Sequence, residues 1–331
     1  MERQSTGTKS QKLVLIADAG ATHVRTMLVG IDGRLLGVGR AGTGNPFAIG
    51  HVAACHNLKA AIVAALKDAH IPPARIALVV VGSAGVTHDG RGAKPIVEDI
   101  RKYLKDTKIV VVGDGRIALA GALAGAHGVV AVSGTGSIVL GKDPTGRVLR
   151  VGGWGPLAGD EGSAQWIGRR AIQEAAHAAD SVADPSLLMN SLCRYFRLRN
   201  FDRIIDAIYA HPMTPSELGA LAPLVTRAAD RDDVVALGIF AEGAKALALQ
   251  AVTAARRLHL RRPLVSHQGS MFTVSHFRSA FDRELRLQIR GALFVAPSLP
   301  PLGGAFLMAL QHCGLPASPA VMDTFRDACH A

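Results

Sequence analysis

Three short turns and one loop in this 331-residue chain carry residues of the kind that do chemistry. Asp18-Ala19-Gly20-Ala21-Thr22 follows the apolar run Leu13–Ala17 at a strand-to-strand turn. Its small residues let backbone amides approach an anion. Asp18 suits hydrated Mg²⁺ and the Thr22 hydroxyl suits a phosphate oxygen, although a plain tight turn would need no acid there. Ser133-Gly134-Thr135-Gly136-Ser137 clusters backbone N–H groups with hydroxyls, the equipment that holds phosphate, although such a run also occurs in ordinary turns. Asp114 stands just past the β-branched run Ile109–Val112. A carboxylate there either caps a helix or accepts a proton from an attacking hydroxyl, as in phosphoryl transfer. The loop Gly152-Gly153-Trp154-Gly155-Pro156 leads into Asp160-Glu161-Gly162-Ser163-Ala164, read as a helix start. It offers an aromatic wall and a carboxylate, which suit a polyhydroxylated ligand; the acid could equally serve as a cap favoured by the helix dipole. Two phosphate turns together favour the catalytic reading of Asp114 over the capping one.

The elements that must position these residues are legible from their periodicity. Strands are expected at Leu13–Ala17, Thr26–Ile31 and Leu35–Gly39, the last two joined through Asp32-Gly33-Arg34. After the loop Gly42–Pro46, which holds Asn45, an Ala-rich helix runs through Lys67. Next come a strand at Ile76–Val81 ending in Gly82-Ser83-Ala84-Gly85, a helix near Ile96–Leu104, the strand before Asp114 and a helix over Arg116–Ala126. Two strands then flank the second phosphate turn. The pattern turns helical from Gln165 to about Arg257, before a strand at Leu264–Val265 that runs into His267-Gln268-Gly269-Ser270, and a helix. Strands are expected near Leu287–Ile289 and Val295, and a last helix opens at Pro300-Pro301-Leu302-Gly303-Gly304. The order of elements starts over near residue 128, a weak internal duplication without sequence identity.

Composition excludes several classes. The chain carries a formal charge of +11, but its 27 arginines are scattered and aromatics make up only 5%, which argues against stacking on nucleic acid and for a field that favours anions such as nucleotides. Cys55, Cys193, Cys313 and Cys329 lie far apart without a CxxC pair, so neither a metal framework nor disulfides are expected, and the 13 histidines show no metal spacing. The start, MERQSTGTKSQK, has no apolar core of a signal peptide and reads as a frayed tail. No run of 18 apolar residues occurs, so no membrane span is expected, and the protein is expected to be cytoplasmic.

In order, DAGATH, VVGDGRIALAGAL, SGTGS, GGWGPLAGDEGSA, and HQGSMF with PLGGAF resemble the motifs of the N-acetylglucosamine kinase branch of the BadF/BadG/BcrA/BcrD ATPase family, within the actin, hexokinase and Hsp70 superfamily. The resemblance covers residues 13–312, and GWGPLAGDEGSA is its most specific part. It implies an α/β fold of two ribonuclease-H-like (actin-like ATPase) domains, each a mixed β-sheet with flanking helices, around a nucleotide/sugar cleft. The expected domains are 11–120, with a C-terminal helix at about 302–331 packing back on it, and 121–301. By matching position, Asp114 would be the base on the sugar hydroxyl. Asn45, Gly153, Trp154, Gly155 and Asp160 would line the sugar site. Asp18, Gly20, Thr22, Gly134 and Thr135 would meet ATP phosphates and Mg²⁺, with Asp18 the metal-side carboxylate. Gly269 and Gly303 would lie near adenosine. We also assign Ser83 to the sugar side and His23 to the nucleotide side.

The chain departs from the family pattern where DGGGT is DAGAT and where Val24 replaces the usual hydroxyl residue. If φ is negative at positions 19 and 21, the alanines cost the backbone nothing, and they are expected to point into the sheet. The function expected is ATP-dependent phosphorylation of N-acetylglucosamine or glucosamine, at the 6-hydroxyl, by a homodimer without nucleic-acid or membrane partners. The alternatives are a non-catalytic sugar or nucleotide sensor and an ATPase activator of the BadF type, which would need cysteines to bridge an iron–sulfur cluster.

Overall fold

The computed structural model describes residues 12–87, 89–210 and 212–330. The N-terminal stretch read as a frayed tail falls, but for Lys12, outside them. The chain divides into two compact units, one running to Gly125 and resumed from Leu299 onward, the other Ala126–Ser298.

In the first unit, β1 (Leu13–Ala19), β2 (Val24–Gly30) and β3 (Leu35–Ala41) form an antiparallel meander. α1 (Pro46–Ile49) and α2 (His51–Asp68) lead to β4 (Ile76–Ser83), and α3 (Ala93–Arg101) leads to β5 (Lys108–Gly113) and α4 (Asp114–Ala122). β4 lies parallel to both β1 and β5, giving the order β3-β2-β1-β4-β5. A central strand covered on both faces must be apolar throughout, and β1 is: Leu13, Val14, Leu15, Ile16 and Ala17 are all buried. Alternate residues enter different cores. Leu13, Leu15 and Ala17 pack with Leu58, Ile62 and Ile100 of α2 and α3, and Val14 and Ile16 pack with Ile117 of α4. Gly39 shows how tightly α2 lies on the sheet, since a Cβ there would sit 1.9 Å from the Ala61 carbonyl oxygen.

In the second unit, β6 (Gly128–Ser133), β7 (Ser137–Lys142) and β8 (Val148–Gly152) form another antiparallel meander. The helices α5 (Ala164–Ala179), α6 (Leu187–Phe196), α7 (Ile204–Tyr209), α8 (Pro215–Gly219), α9 (Ala222–Ala229) and α10 (Val234–Arg257) follow. β9 (Leu264–Gln268), α11 (Ser275–Gln288) and β10 (Leu293–Phe294) complete the unit. α10 is long and apolar enough by composition to cross a bilayer. Here it is the core helix, burying Ile239, Phe240, Ala244, Leu247, Ala248 and Ala251 at helical spacing against Val139 and Phe277. The sheet order is β10-β9-β6-β7-β8, with β9 parallel to β6 and to β10. Counted within each unit, both sheets run third, second, first, fourth, fifth with identical directions. The duplication weakly visible in sequence is therefore a repeat of topology.

The strand expected near Leu287–Ile289 does not form; Leu287 belongs to the last turn of α11 and is 71% exposed. The buried set Phe277, Ala280, Phe281 and Leu285 has helical spacing, and that periodicity carries the segment past the short apolar run. β10 ends one residue before Val295, whose N–H still donates to the Val265 carbonyl.

The C-terminal segment returns to the first unit as α12 (Pro301–His312) and α13 (Pro319–His330). Phe306 and Phe325 stack with centroids 4.6 Å apart over the Val14, Ile16 and Leu78 face. Burying one such ring contributes about 1.5–3 kcal/mol.

Candidate active site

The three parallel strands of the first unit end side by side, where ligand groups of α/β sheets collect. β1 delivers Asp18, β4 delivers Ser83, and β5 delivers Asp114 as the first residue of α4. Gly82 separates the two acids in the sheet, being paired with Asp18 on one side and Val112 on the other. A Cβ on Gly82 would lie 2.3 Å from Ile117 Cδ1. The missing side chain thus lets the first turn of α4 settle onto the strand and brings Asp114 towards Asp18.

The electrostatic result is a strained pair of carboxyls. Burial and then the charge of Asp114 push Asp18 up to about 7, partly opposed by Arg25. Burial also raises Asp114, against the N–H of Gly115, which donates to its Oδ1 at 2.8 Å, and its own N–H. Asp114 occupies the first helical position, with Gly113 at the N-cap, so its carboxylate is not the cap weighed in the sequence. Two half-buried acids with raised proton affinity suit a divalent cation. No cluster of three or more His, Cys, Asp or Glu side chains exists among the described residues. Mg²⁺ keeps waters and takes phosphate oxygens beside one or two carboxylates.

The β1–β2 turn is closed by Gly20 N–H donating to the His23 carbonyl at 3.2 Å. The Gly42–Pro46 loop is stitched to it: Gly44 N–H donates to Gly20 O at 3.1 Å, and Thr43 Oγ1 donates to Ala21 O at 2.6 Å. Neither Ala19 nor Ala21 is among the residues with positive φ. Ala19 is buried, and its methyl lies where Gly44 leaves room, 2.7 Å from the Cβ that Gly44 lacks. Thr22 and His23 are exposed; burial, Arg25 and Arg40 lower the His23 pKa, which favours the neutral ring. Asn45 Oδ1 accepts from Phe47 N–H at 3.0 Å and caps α1, leaving its Nδ2 for a ligand. Ser83 is buried, its Oγ accepts from Gly85 N–H at 3.4 Å, and it lines a cavity of about one water with Ala19, Gly44, Pro46 and Cys55.

In the second unit the hydroxyl-rich turn occupies the β6–β7 position, the topological counterpart of the β1–β2 turn. Gly134 N–H donates to Gly136 O at 2.9 Å, and the carbonyls of Gly134 and Thr135 accept from Ala164 and Gln165 at the start of α5. Ser133 Oγ donates to Gly162 O and Ser137 Oγ donates to Glu161 O. The Asp160 carboxylate rests on the turn, because a Cβ on Gly136 would lie 2.8 Å from its Oδ2. Gly269, at φ +105°, closes the other side, its absent Cβ 2.1 Å from Ser133 O. Gly134 has open space above it. The segments 133–137, 160–165 and 268–269 therefore form one assembly.

Asp160 does not open a helix. α5 begins at Ala164 with Ser163 as N-cap, its Oγ accepting from Trp166 N–H at 3.3 Å. Asp160 instead sits at φ +60° in the preceding turn, 7% exposed. Burial raises its pKa against donors from Ser137 N–H, Gly155 N–H and Gln165 Nε2, the last at 2.6 Å. Gln165, which sequence reasoning missed, is 3% exposed, and its Oε1 has no partner among the described residues. The available signal was a polar residue at the second position of an otherwise apolar helix face. Trp154 was expected to shape a pocket wall. It is 67% exposed, with the Arg150 guanidinium 4.3 Å from its ring centroid, while Arg150 also donates to Gly153 O at 2.8 Å. Gly153 and Gly155 have φ of +67° and +84° and turn the chain on either side of it. Gly303 is buried in the first turn of α12, beside Gly304, whose absent Cβ would lie 1.8 Å from Ile117 O. Gly304 brings α12 against α4, the helix that carries Asp114, whereas a Cβ on Gly303 would meet the Leu299 side chain.

The chain belongs to the BadF/BadG/BcrA/BcrD ATPase family, whose profile matches residues 17–309. It is 30% identical over 239 residues to an N-acetylmuramic acid/N-acetylglucosamine kinase of Clostridium acetobutylicum, covering 71% of this chain and 78% of that protein. It is 30% identical over 190 residues to an N-acetyl-D-glucosamine kinase of Dictyostelium discoideum, covering 56% and 59%. The crystal structure of a candidate N-acetylglucosamine kinase from Chromobacterium violaceum superposes with a TM-score of 0.74 at 25% identity, over 90% of this chain and 99% of that one. With the two mixed five-stranded sheets, these place the fold in the actin-like ATPase class, each unit ribonuclease-H-like.

Proposed function

We propose that the protein is a sugar kinase that moves the γ-phosphoryl group of ATP to a hydroxyl of an amino sugar, N-acetylglucosamine or glucosamine, at the 6-position. The observation that carries this reading is the Asp18–Asp114 pair at the strand ends. A carboxylate with raised proton affinity is a stronger base once ionised, and among the described residues no charged side chain forms an ion pair with Asp114 to quench that basicity. In the reaction Asp114 accepts the proton of the sugar hydroxyl, whose oxygen bonds to the γ-phosphorus as the bond to the β-bridging oxygen breaks and ADP leaves. Asp18 would hold Mg²⁺, which neutralises charge on the phosphates. Thr22 and His23 in one turn and Thr135 in the other present donors to the polyphosphate, Gly20 and Gly134 leave room for its oxygens beside them, and Gly269 and Gly303 lie towards adenosine. Asp160, Asn45, Ser83 and the Gly153-Trp154-Gly155 loop serve the sugar. The family and the sugar-kinase relatives support this reading. We further propose that it works in the cytoplasm, where ATP is made, and as a homodimer, which sedimentation tests directly.

The test is ADP release across N-acetylglucosamine, glucosamine, N-acetylmuramic acid, glucose and N-acetylmannosamine. Turnover with the first two, with phosphate on O6 by NMR, is expected. No sugar-dependent ADP from any of the five overturns the reading.

A further inference from the structure

One row of the first sheet carries an uneven set of charges. In the antiparallel meander Asp18 of β1 lies directly opposite Arg25 of β2, and Arg25 lies directly opposite Arg40 of β3. Residues directly opposite share a face of the sheet, with Cβ atoms about 4.5–5.5 Å apart across each pair. Lower on that face Val14, Ile16, Met27 and Val29 are covered by α12 and α13. At the Asp18 end the cover stops, and Arg25 and Arg40 are both exposed. Like charges directly opposite oppose strand pairing. Among the described residues no carboxylate lies within ion-pair distance of either guanidinium. His23, in the turn that joins β1 to β2, feels both arginines, which places three basic side chains around one spot.

We infer that Arg25 and Arg40 form a polyphosphate subsite that grips the terminal phosphates of the nucleotide beside Asp18. The inference rests on the kinase reading above. It answers the departures in the neighbouring turn, where Val24 supplies no hydroxyl and is fully buried. Phosphate donors absent there are replaced by two guanidiniums, each a rigid fork matched to phosphate oxygens. The row then reads as acid, base, base, with Asp18 turned to the cation of a metal–nucleotide complex and the arginines to its anion. Ligand binding relieves the facing like charges, so the nucleotide-free sheet bears a repulsion that the complex removes.

The experiment measures affinity, not turnover. Binding of a non-hydrolysable ATP analogue, ADP and AMP to the full chain is followed by titration calorimetry with Mg²⁺, for Arg25→Gln, Arg40→Gln and the double variant. Each single change should weaken the ATP analogue about tenfold and the pair about a hundredfold. ADP should lose less, and AMP should stay within about threefold. Thermal scans without nucleotide should put Arg40→Gln at or above the parent, because the facing like charges are gone while the Asp18–Arg25 attraction stays. Arg40→Lys, which keeps charge but not the fork, should recover part of the loss. ATP-analogue affinity unchanged in the double variant, or AMP weakened as much as the ATP analogue, overturns the subsite. Should no sugar be phosphorylated while affinity still divides by phosphate number, the subsite stands and the kinase reading falls. Active enzyme with indifferent arginines gives the reverse.

Discussion

Replacing Asp18 by Asn tests whether two acids really share a poorly compensated site. The side chain keeps its shape and loses only its charge. In the folded protein the Asp18 carboxyl titrates at about 7, against an ordinary 3.8. Between those values the folded chain holds a proton that the unfolded chain has lost, so this group makes stability fall as pH rises. Below about pH 4 both states are protonated and Asp18 costs nothing. Above pH 7 both are ionised and the whole cost is present. At about 1.4 kcal/mol per pKa unit the full difference corresponds to roughly 4 kcal/mol. Solvent relaxation around a half-buried group reduces this, and about 2 kcal/mol is a sound lower expectation. For a unit of this size that is a Tm gain of about 4–8 °C. Nucleotide-free Asp18→Asn should therefore melt several degrees above the parent at pH 8 and converge with it near pH 4. Asp114, raised in the same direction by its burial, leaves the variant a residual slope. Mg²⁺ with a non-hydrolysable ATP analogue should stabilise the parent at pH 8 and the variant much less, since the cation compensates a charge the variant lacks. Parallel stability–pH profiles for the two proteins, or a variant less stable than the parent at pH 8, would falsify the charge-pair account.

Asp114→Asn should lower kcat at least about 10²-fold with nucleotide affinity nearly unchanged, the lower range for loss of a general base; turnover within about threefold of the parent removes Asp114 from that role. The raised proton affinity of Asp114 also predicts that kcat/KM falls on acidification well above the ordinary carboxyl range, because the base must be ionised; a profile flat down to pH 5 contradicts it. Asp160→Asn should raise sugar KM strongly while keeping the turn, since Asn tolerates the left-handed backbone at φ +60°, whereas Ser163→Ala should cost about 1 kcal/mol of stability with KM intact. Those two effects exchanged would make Asp160 the structural residue. Ala19→Gly/Ala21→Gly should destabilise by about 1 kcal/mol through unfolded-chain entropy and the lost buried methyl, without improving ATP binding; a tenfold gain in affinity would show that the methyl groups obstruct the phosphates.

Much of the fold was legible because each element obeys one dominant pattern. β1 is apolar on both faces and reads as a central strand, and Gly39 and Gly304 mark places where a helix lies directly on backbone. Leu287–Ile289 misled because three residues are too few to show a period, while the buried set reaching back to Phe277 fixes the segment as helix. Asp160 misled differently. An acid ahead of a helix satisfies the dipole argument, and only the positive φ at Asp160 and Gly162 shows that the chain turns once more before Ser163 takes the cap. Local sequence gives which residues can cap; backbone conformation decides which one does.

The site was legible to a different depth in each unit. The two phosphate turns were visible as small-residue runs, yet their equivalence was not, because nothing in DAGAT and SGTGS is shared beyond small and hydroxyl residues. It emerges from pairing: each turn joins the first and second strands of a sheet with the order third, second, first, fourth, fifth. Gln165 and the Arg25–Arg40 row were invisible for the same physical reason. Both are contacts across elements, one from a helix back to a loop and one across three strands, and neither spacing along the chain has a periodic signature. Asp114 is the intermediate case. Its place at a strand end followed from the β-branched run, but the burial that raises its proton affinity did not, nor did its approach to Asp18, 96 positions earlier in the chain, which Gly82 permits by having no side chain to hold α4 away. Chemistry at this site is therefore set by a glycine whose role lies entirely in what it omits.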